Sequence, residues 1–371
     1  MKFFTARFML GFVLVASVST NALGETAQYR AVFDVVWARE THPSDPIRFP
    51  DRPHFSGPIG ATHSDRVVFW EPGMLATQGI QDMAEKGSRP QLTAEIDAAI
   101  SAGTAKSVVA FCCTLDSPGS AQHEFTVDAD FPLVSLVTMI APSPDWFVGV
   151  SNTSLRDEDG WIGKQVIDLY AHDAGTDAGT TFLGADAPMS SHEPIHRIMG
   201  PAFPDDVPLG TLTFLRLLDG DVSEDGIVSA EDIDQLSDAI RNQATDTRFD
   251  LNHDRKVDQA DRSYWIHEVM DTYLGDVNLD GEFNSSDLVR VLVAAQYEDN
   301  IPGNSTWMTG DWDGDGEFTS RDLLVAFGDG GYELGSQNRV VAVPEPRGRV
   351  ALTFVTITCL CGIVRRRLRK S

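Results

Sequence analysis

Cysteine is scarce in this 371-residue chain: Cys112 and Cys113 are adjacent, and Cys359 and Cys361 lie near the C-terminus. Four cysteines so placed exclude a disulfide framework. Neighbours on a strand point to opposite faces, so bridging Cys112 to Cys113 would strain the backbone, and buried thiols are expected there. Basic residues are few: 29 Lys and Arg stand against 55 Asp and Glu, for a net charge of −26. Such a surface repels nucleic-acid phosphates, which excludes a nucleic-acid partner, and suits divalent cations. Apolar runs are short: residues 8–18 and 350–364 both fall below the roughly twenty residues of a membrane span. No Gly-x-Ser-x-Gly elbow or Gly-rich phosphate loop occurs, and a non-catalytic protein is expected. A hydrophobic content of 42% still allows a sizeable core, and the length allows two or three domains.

The two ends carry addresses. Lys2 and Arg7, the apolar run 8–18 and the small residues around Ala22-Leu23-Gly24 read as a signal peptide over 1–24, with the mature chain starting near Glu25. At the other end Val343-Pro344-Glu345-Pro346 precedes the apolar run 350–364 and a basic cluster at 365–370. The basic end belongs inside by the positive-inside rule. This order resembles the PEP-CTERM sorting tails of bacteria. The resemblance implies membrane contact before processing by an exosortase, and a secreted or cell-surface destination, with anchoring by the tail where it is retained.

Between the ends, residues 29–217 alternate short strand signals with Gly, Pro, Ser and Asp. Tyr29, Ala31, Phe33, Val35 and Trp37 form one apolar strand face. Further strands are expected at 67–70, 108–111, 133–140, 147–150, 166–170 and 211–217. One helix is expected where Leu92, Ile96 and Ile100 repeat every four residues behind a start at 93–95. Many strands with few helices imply a β-sandwich over 25–218. From Asp219 acidic segments alternate with amphipathic helices: Ile233, Leu236 and Ile240 share a face, as do Trp265, Val269 and Tyr273, and Leu288, Val291 and Leu292. Residues 334–349 read as a flexible linker.

Four of those acidic segments share one spacing. The first has Asp221, Ser223, Asp225, Gly226, Ser229 and Asp232; the second has Asp250, Asn252, Asp254, Asp258 and Asp261. The third has Asp276, Asn278, Asp280, Gly281, Asn284 and Asp287; the fourth has Asp311, Asp313, Asp315, Gly316, Thr319 and Asp322. Each offers oxygen at positions one, three, five, nine and twelve. Calcium takes six to eight oxygens at about 2.3–2.6 Å, and a loop winding round it presents alternate side chains. Glycine at position six permits the sharp turn. Position seven would give its carbonyl. Position eight (Val228, Val257, Phe283 and Phe318) is apolar and expected to anchor the loop in a core. Without metal the clustered carboxylates repel, so calcium binding becomes folding free energy.

These loops resemble type I dockerin repeats, and Gly275-Asp276-Val277-Asn278-Leu279-Asp280-Gly281 is close to an ideal copy. The resemblance implies EF-hand-like, all-α modules in loop pairs, at 219–274 and 275–333, and a cohesin-like partner. Arg255 replaces the position-six glycine and makes the second loop the weakest expected site. Among the helix-start positions Ala230-Glu231, Gln259-Ala260, Ser285-Ser286 and Ser320-Arg321, only the third pair is similar to the Ser-Thr pair through which dockerins meet cohesin.

A second resemblance lies upstream. Trp37-Ala38-Arg39-Glu40-Thr41-His42-Pro43, His54-Phe55-Ser56, Ile59-Gly60-Ala61-Thr62-His63, Pro142-Ser143-Pro144-Asp145-Trp146-Phe147-Val148-Gly149 and Asp173-Ala174-Gly175-Thr176-Asp177 resemble, in order, the spondin domain of matrix proteins. It implies a C2-like sandwich holding one calcium ion through Asp145, Asp173 and Asp177. Asp173 and Asp177 sit four apart in a Gly-containing turn after a strand, which suits one loop pocket; turn hydrogen bonds alone are the other use of such aspartates. His42, His54 and His63 follow no zinc spacing and are expected to be hydrogen-bonded structural residues.

The whole therefore reads as an α+β multidomain chain: an exported, calcium-binding surface or matrix adhesion protein with a protein or glycan partner. The alternative is a polysaccharide- or ester-hydrolysing enzyme attached to an assembly through its dockerin-like repeats. A deep pocket lined by paired carboxylates would favour the enzyme.

Overall fold

The computed structural model describes residues 25–44, 47–204 and 206–336. The expected leader, the apolar tail and the linker beyond Ser336 lie outside the described residues.

In chain order the strands are β1 (Thr26–Val35), β2 (His54–Phe55), β3 (Ile59–His63), β4 (Ala105–Ala110), β5 (Leu115–Asp116), β6 (Gly119–Asp128) and β7 (Leu133–Ala141). They continue with β8 (Trp146–Ser154), β9 (Arg156–Asp157), β10 (Gly160–Trp161), β11 (Lys164–Leu169), β12 (His172–Asp173), β13 (His196–Arg197) and β14 (Gly210–Arg216). One sheet has the order β11-β14-β1-β6. A second, larger sheet runs β13-β12-β8-β7 and at β7 divides between β2-β5 and β3-β4, while β9 and β10 pair as a separate two-stranded ribbon. All pairings between named strands are antiparallel.

Strict alternation on β1 buries Tyr29, Ala31, Phe33 and Val35 against the facing sheet, where Phe55, Val134, Leu136 and Val148 complete the core. At about 1.5–3 kcal/mol for each large apolar side chain buried, this layer dominates the cohesion of the sandwich. One end of the core is aromatic. Trp37 packs on Phe49, Phe55 and Phe182, and Trp146 on Phe182 and Phe203, with ring centroids 5.2–5.8 Å apart. That plug lies directly under the Asp145 turn.

The larger sheet has a second covered face. Helices α1 (Gln78–Lys86) and α2 (Pro90–Ser101) press Ile80, Met83, Leu92 and Ile96 onto Ile59, Val137, Met139 and Phe147. Helix α1 was not among the expected elements, although Thr77 caps it through a 3.2 Å bond from the Ile80 amide and Ile80, Met83 and Ala84 share its buried face. Helix α2 starts earlier than expected, at Pro90, whose missing N–H costs nothing in a first turn. Residues 67–70 form no strand: Phe69 and Trp70 bend into the helix–sheet layer, and Trp70 Nε1 donates to the Val150 carbonyl at 3.2 Å. Cys112 and Cys113 are exposed, against the expectation of buried thiols. They occupy a turn between β4 and β5, not the interior of a strand.

Residues 219–336 are helical: α3 (Ala230–Arg241), α4 (Gln259–Tyr264), α5 (Ser285–Ala294) and α6 (Ser320–Asp329). The helix expected to reach Tyr273 instead ends in a π-turn, Trp265–Val269, with Trp265 fully buried. Leu292 is exposed, although it was expected on a buried face with Val291. All four loops feed one apolar cluster, including Val222, Leu251, Val277, Phe283, Trp307, Trp312 and Phe318, so the two expected loop pairs share a core. Phe283 and Phe318 are buried, while Val228 and Val257 are half-buried at the edge of that cluster. No helix among the described residues is long and apolar enough to cross a membrane.

Candidate metal centres

The four acidic loops repeat one hydrogen-bond frame. Position nine caps the helix that follows: Ser229, Asp258, Asn284 and Thr319 accept from the backbone amides of Glu231, Ala260, Ser286 and Arg321. Position twelve is the third helical residue, and its carboxylate reaches back to the position-nine amide, closing a capping box in each loop. The other oxygen of that carboxylate closes the loop. Asp232 takes the Ser223 amide at 2.9 Å, Asp261 that of Asn252 at 3.2 Å, Asp287 that of Val277 at 3.2 Å and Asp322 that of Asp313 at 3.0 Å. All four position-twelve aspartates are buried.

Position one gathers amides from the turn. Asp221 accepts from Asp225 and Gly226, Asp250 from Arg255, Asp276 from Asp280 and Gly281, and Asp311 from Gly314 and Gly316. At position five, Asp225, Asp254, Asp280 and Asp315 each accept the amide two residues on. Position six has φ of 87° at Gly226, 87° at Gly281 and 91° at Gly316, and 73° at Arg255, where a side chain sits in the left-handed region.

The donor set fits a cation. Burial pushes the carboxyls of Asp221, Asp276, Asp287 and Asp313 above the usual range, and that of Asp311 to about 6. Oδ1 of Asp250 is buried without a hydrogen-bond partner. Asp311, Asp313 and Asp315 hold one oxygen each within 4.8 Å of one another, the one such group of three among the described residues. Hard oxygen donors of this kind suit calcium.

Around the fourth loop stand three arginines that sequence reasoning missed. Arg262 is buried and donates to the carbonyls of Trp312 at 2.6 Å and Asp311 at 3.2 Å. Arg241 donates to the Gly314 carbonyl at 2.7 Å, and Arg321 Nε pairs with Asp313 at 2.9 Å. A signal existed for Arg262, which shares a helical face with Trp265 and Ile266 at i+3 and i+4.

In the sandwich, Asp145 lies between β7 and β8 and is fully buried. Its Oδ2 accepts from the Thr176 amide at 2.7 Å, the Thr176 hydroxyl at 3.1 Å and the Asp177 amide at 3.0 Å, while Oδ1 is buried without a partner. Burial, with the Asp173 charge nearby, pushes the Asp145 carboxyl up to about 6. Asp173 takes the Gly175 amide at 2.7 Å and Trp146 Nε1 at 3.2 Å. Asp177 takes the amides of Gly179 and Ala187, both at 2.7 Å. Turn hydrogen bonds engage all three carboxylates, and their oxygens do not gather within 4.8 Å of one another as those of Asp311, Asp313 and Asp315 do; the orphaned Asp145 oxygen is the donor left to fit an ion.

The three early histidines bond to neighbours. Nδ1 of His42 meets the Thr41 hydroxyl, that of His54 the Arg52 carbonyl, and His63 bridges the Ser64 carbonyl and the Ser135 hydroxyl. One zinc-protease spacing escaped the sequence reading, His192-Glu193-Pro194-Ile195-His196. That motif works only on a helix, where both imidazoles share a face. Here Pro194 bridges Leu75 in an extended segment leading into β13.

Residues 27–207 match the family model described as Spondin_N, and residues 274–325 that of the Dockerin type I domain. The chain carries a spondin N-terminal domain and a dockerin type I domain. Within the spondin region it is 39% identical over 176 residues to Spondin-1 of Gallus gallus, covering 46% of this chain and 22% of that one. The figures for Spondin-1 of Homo sapiens are 39% over 176 residues, 46% and 21%. Spondin-2 of Rattus norvegicus is 31% identical over 205 residues, 52% of this chain and 62% of that one. The chain thus spans about a fifth of Spondin-1. The dockerin match takes in the third and fourth loops; the first and second lie upstream of it with the same hydrogen-bond frame.

Proposed function

We propose that this is an exported, non-catalytic protein of the cell surface or extracellular matrix, whose spondin and dockerin domains bind calcium and present rigid surfaces to a partner. The repeated frame of the four loops carries the reading. Carboxylates at positions one and twelve line each loop, and desolvation without a cation disfavours the charged form of Asp221, Asp276, Asp287 and Asp311. The proposed ligands are those of the four loops together with Asp145, Asp173 and Asp177. The C2-like and EF-hand-like descriptions of the two parts rest on resemblance. The proposed division is a leader (1–24), the sandwich (25–218), two loop pairs (219–274 and 275–333) within one shared core, a linker (334–349) and a sorting tail (350–371).

For partners, α5 and α6 leave Val289, Leu292, Val293, Leu324 and Phe327 exposed, an apolar surface that suits a cohesin-like protein. The sandwich would contact a protein or glycan through its metal-stiffened loops. The cleft of about 790 Å³ beside α2 holds one carboxylate, Asp97, and so lacks the pair that a glycosidase uses. Titration calorimetry of the purified chain with calcium tests the reading. Loss of one site of about five on changing Asp145, Asp173 and Asp177 to Asn supports the sandwich site; an unchanged count removes it. Turnover of polysaccharides or esters in an activity screen would overturn the non-catalytic role.

A further inference from the structure

We infer that the first acidic loop is also a docking surface: closed around calcium, it clamps the helical region onto the sandwich, so that the cation sets the arrangement of the two parts. This rests on the calcium reading proposed above and adds a consequence to it.

The join between the parts is short and pinned at both ends. The Leu217 amide donates to the Gln28 carbonyl of β1 at 2.8 Å, and the Gly220 carbonyl accepts from Trp265 Nε1 at 3.0 Å. Between those bonds stand only Leu218 and Asp219. The loop itself then meets the sandwich. Gly226, at position six, lies backbone against backbone on Gly163, between β10 and β11. A Cβ on Gly163 would sit 2.7 Å from the Gly226 carbonyl oxygen, so neither residue has room for a side chain. At position four, Glu224 pairs with Arg30 of β1 at 2.9 Å, while the Glu224 carbonyl accepts from Lys164 Nζ of β11 at 3.1 Å. Arg30 is held from its other side by Glu124 of β6 at 3.0 Å.

These contacts use residues that the loop frame places. Asp221 fixes positions five and six by accepting their amides at 3.2 and 2.8 Å, and Glu224 has φ of 55° inside the same turn. An ion bound by Asp221, Ser223 and Asp225 holds that turn closed; emptied, the carboxylates repel and the turn opens. Opening moves Gly226 and Glu224 off Gly163, Arg30 and Lys164, and leaves the two parts joined by the pinned strip alone. None of the other three loops has contacts of this kind with the sandwich in its hydrogen bonds or ion pairs among the described residues.

Small-angle scattering of the purified full-length chain in calcium and in EGTA reads the arrangement, with calorimetry run in parallel. A compact particle in calcium and a larger radius of gyration in EGTA are expected. Glu224→Lys and Gly163→Val should be extended in both conditions while the third and fourth loops keep their calcium uptake. Two variants on opposite sides of the contact separate undocking from misfolding, since circular dichroism of Glu224→Lys should stay unchanged. Calcium uptake with unchanged dimensions, or compact variants in calcium, would overturn the docking inference alone. Absence of calcium uptake would overturn the calcium reading as well.

Discussion

Nη1 of Arg262, in the helix after the second loop, donates to the carbonyl of Trp312 in the fourth loop at 2.6 Å. The same guanidinium donates to the Ser237 hydroxyl of α3 at 2.9 Å and to the Asp311 carbonyl at 3.2 Å. One buried cation therefore joins three segments that belong to both loop pairs. It also faces the charges of Asp311, Asp313, Asp234 and Asp322.

Removing it leaves carbonyls unpaired and carboxylates uncompensated. Arg262→Met is expected to destabilise the helical region by about 3–5 kcal/mol. Lysine should not rescue it, because one ammonium cannot reproduce the planar fork. Denaturant unfolding in saturating calcium, followed by Trp307 and Trp312 fluorescence, measures the loss; a change below about 1 kcal/mol would show that the bridge is dispensable.

The second loop invites the opposite change. Arg255 holds φ of 73° where the other three loops have glycine. A non-glycine residue in that region costs about 1–2 kcal/mol. Arg255→Gly should therefore tighten calcium binding at this loop roughly five- to thirtyfold by calorimetry. An unchanged constant would mean that the open loop bears the same strain.

Much of this was legible in advance. The oxygen positions of the loops were readable because the helix cap fixes positions nine and twelve locally, without help from the rest of the chain. Strand β1 was readable because one face alternates without a break. Strand β6 escaped notice because its inward residues are Ala121, His123, Phe125 and Val127, a weak apolar signal diluted by a polar outer face. The shared core of the loop pairs was invisible for a different reason. It depends on Trp307 and Trp312 meeting helices some 40–80 positions away in sequence, and no local periodicity encodes such contacts.

The fourth loop should be partly shielded from metal by its own helix. Arg321 Nε lies 2.9 Å from Asp313, and Nη1 lies 3.6 Å from Asp315, on a side chain that is 69% exposed. Exposed pairs contribute about 0.2–1 kcal/mol and weaken in salt. Arg321→Ala should thus raise calcium affinity at this loop no more than about fivefold, with the gain vanishing in high salt. A fall in affinity would instead mark Arg321 as a support for the ligands.

His63 gives the sandwich a pH response. Its ring is buried between the Ser64 carbonyl and the Ser135 hydroxyl, and burial pulls its pKa below the usual histidine value. The folded state therefore disfavours the imidazolium. Stability from this group is complete above about pH 6.5, the unfolded value, and declines as pH falls towards the folded value. His63→Gln should flatten that decline in thermal scans between pH 7.5 and 5. An identical slope in wild type and variant would remove His63 from the response.

Asp145 provides a test with two opposite signs. In chelator its carboxyl titrates at about 6 against an ordinary 3.8, because burial and the neighbouring Asp173 penalise the charge. The native state then binds the proton more tightly than the unfolded state. Its contribution is complete below about pH 4 and lost as pH rises through 6. At about 1.4 kcal/mol per pH unit the loss at neutral pH is roughly 2–3 kcal/mol. Asp145→Asn removes the charge but keeps an oxygen for the amides of Thr176 and Asp177, so in EGTA at pH 7 it should raise the melting point of the sandwich by about 4–10 °C. In calcium the order should invert, because the wild-type carboxylate then gains a cation that the amide binds less well. A variant more stable than wild type in both conditions would mean that no ion reaches the orphaned Oδ1. A variant less stable in both would mean that the ionised carboxylate already earns its place through the Thr176 and Asp177 hydrogen bonds alone.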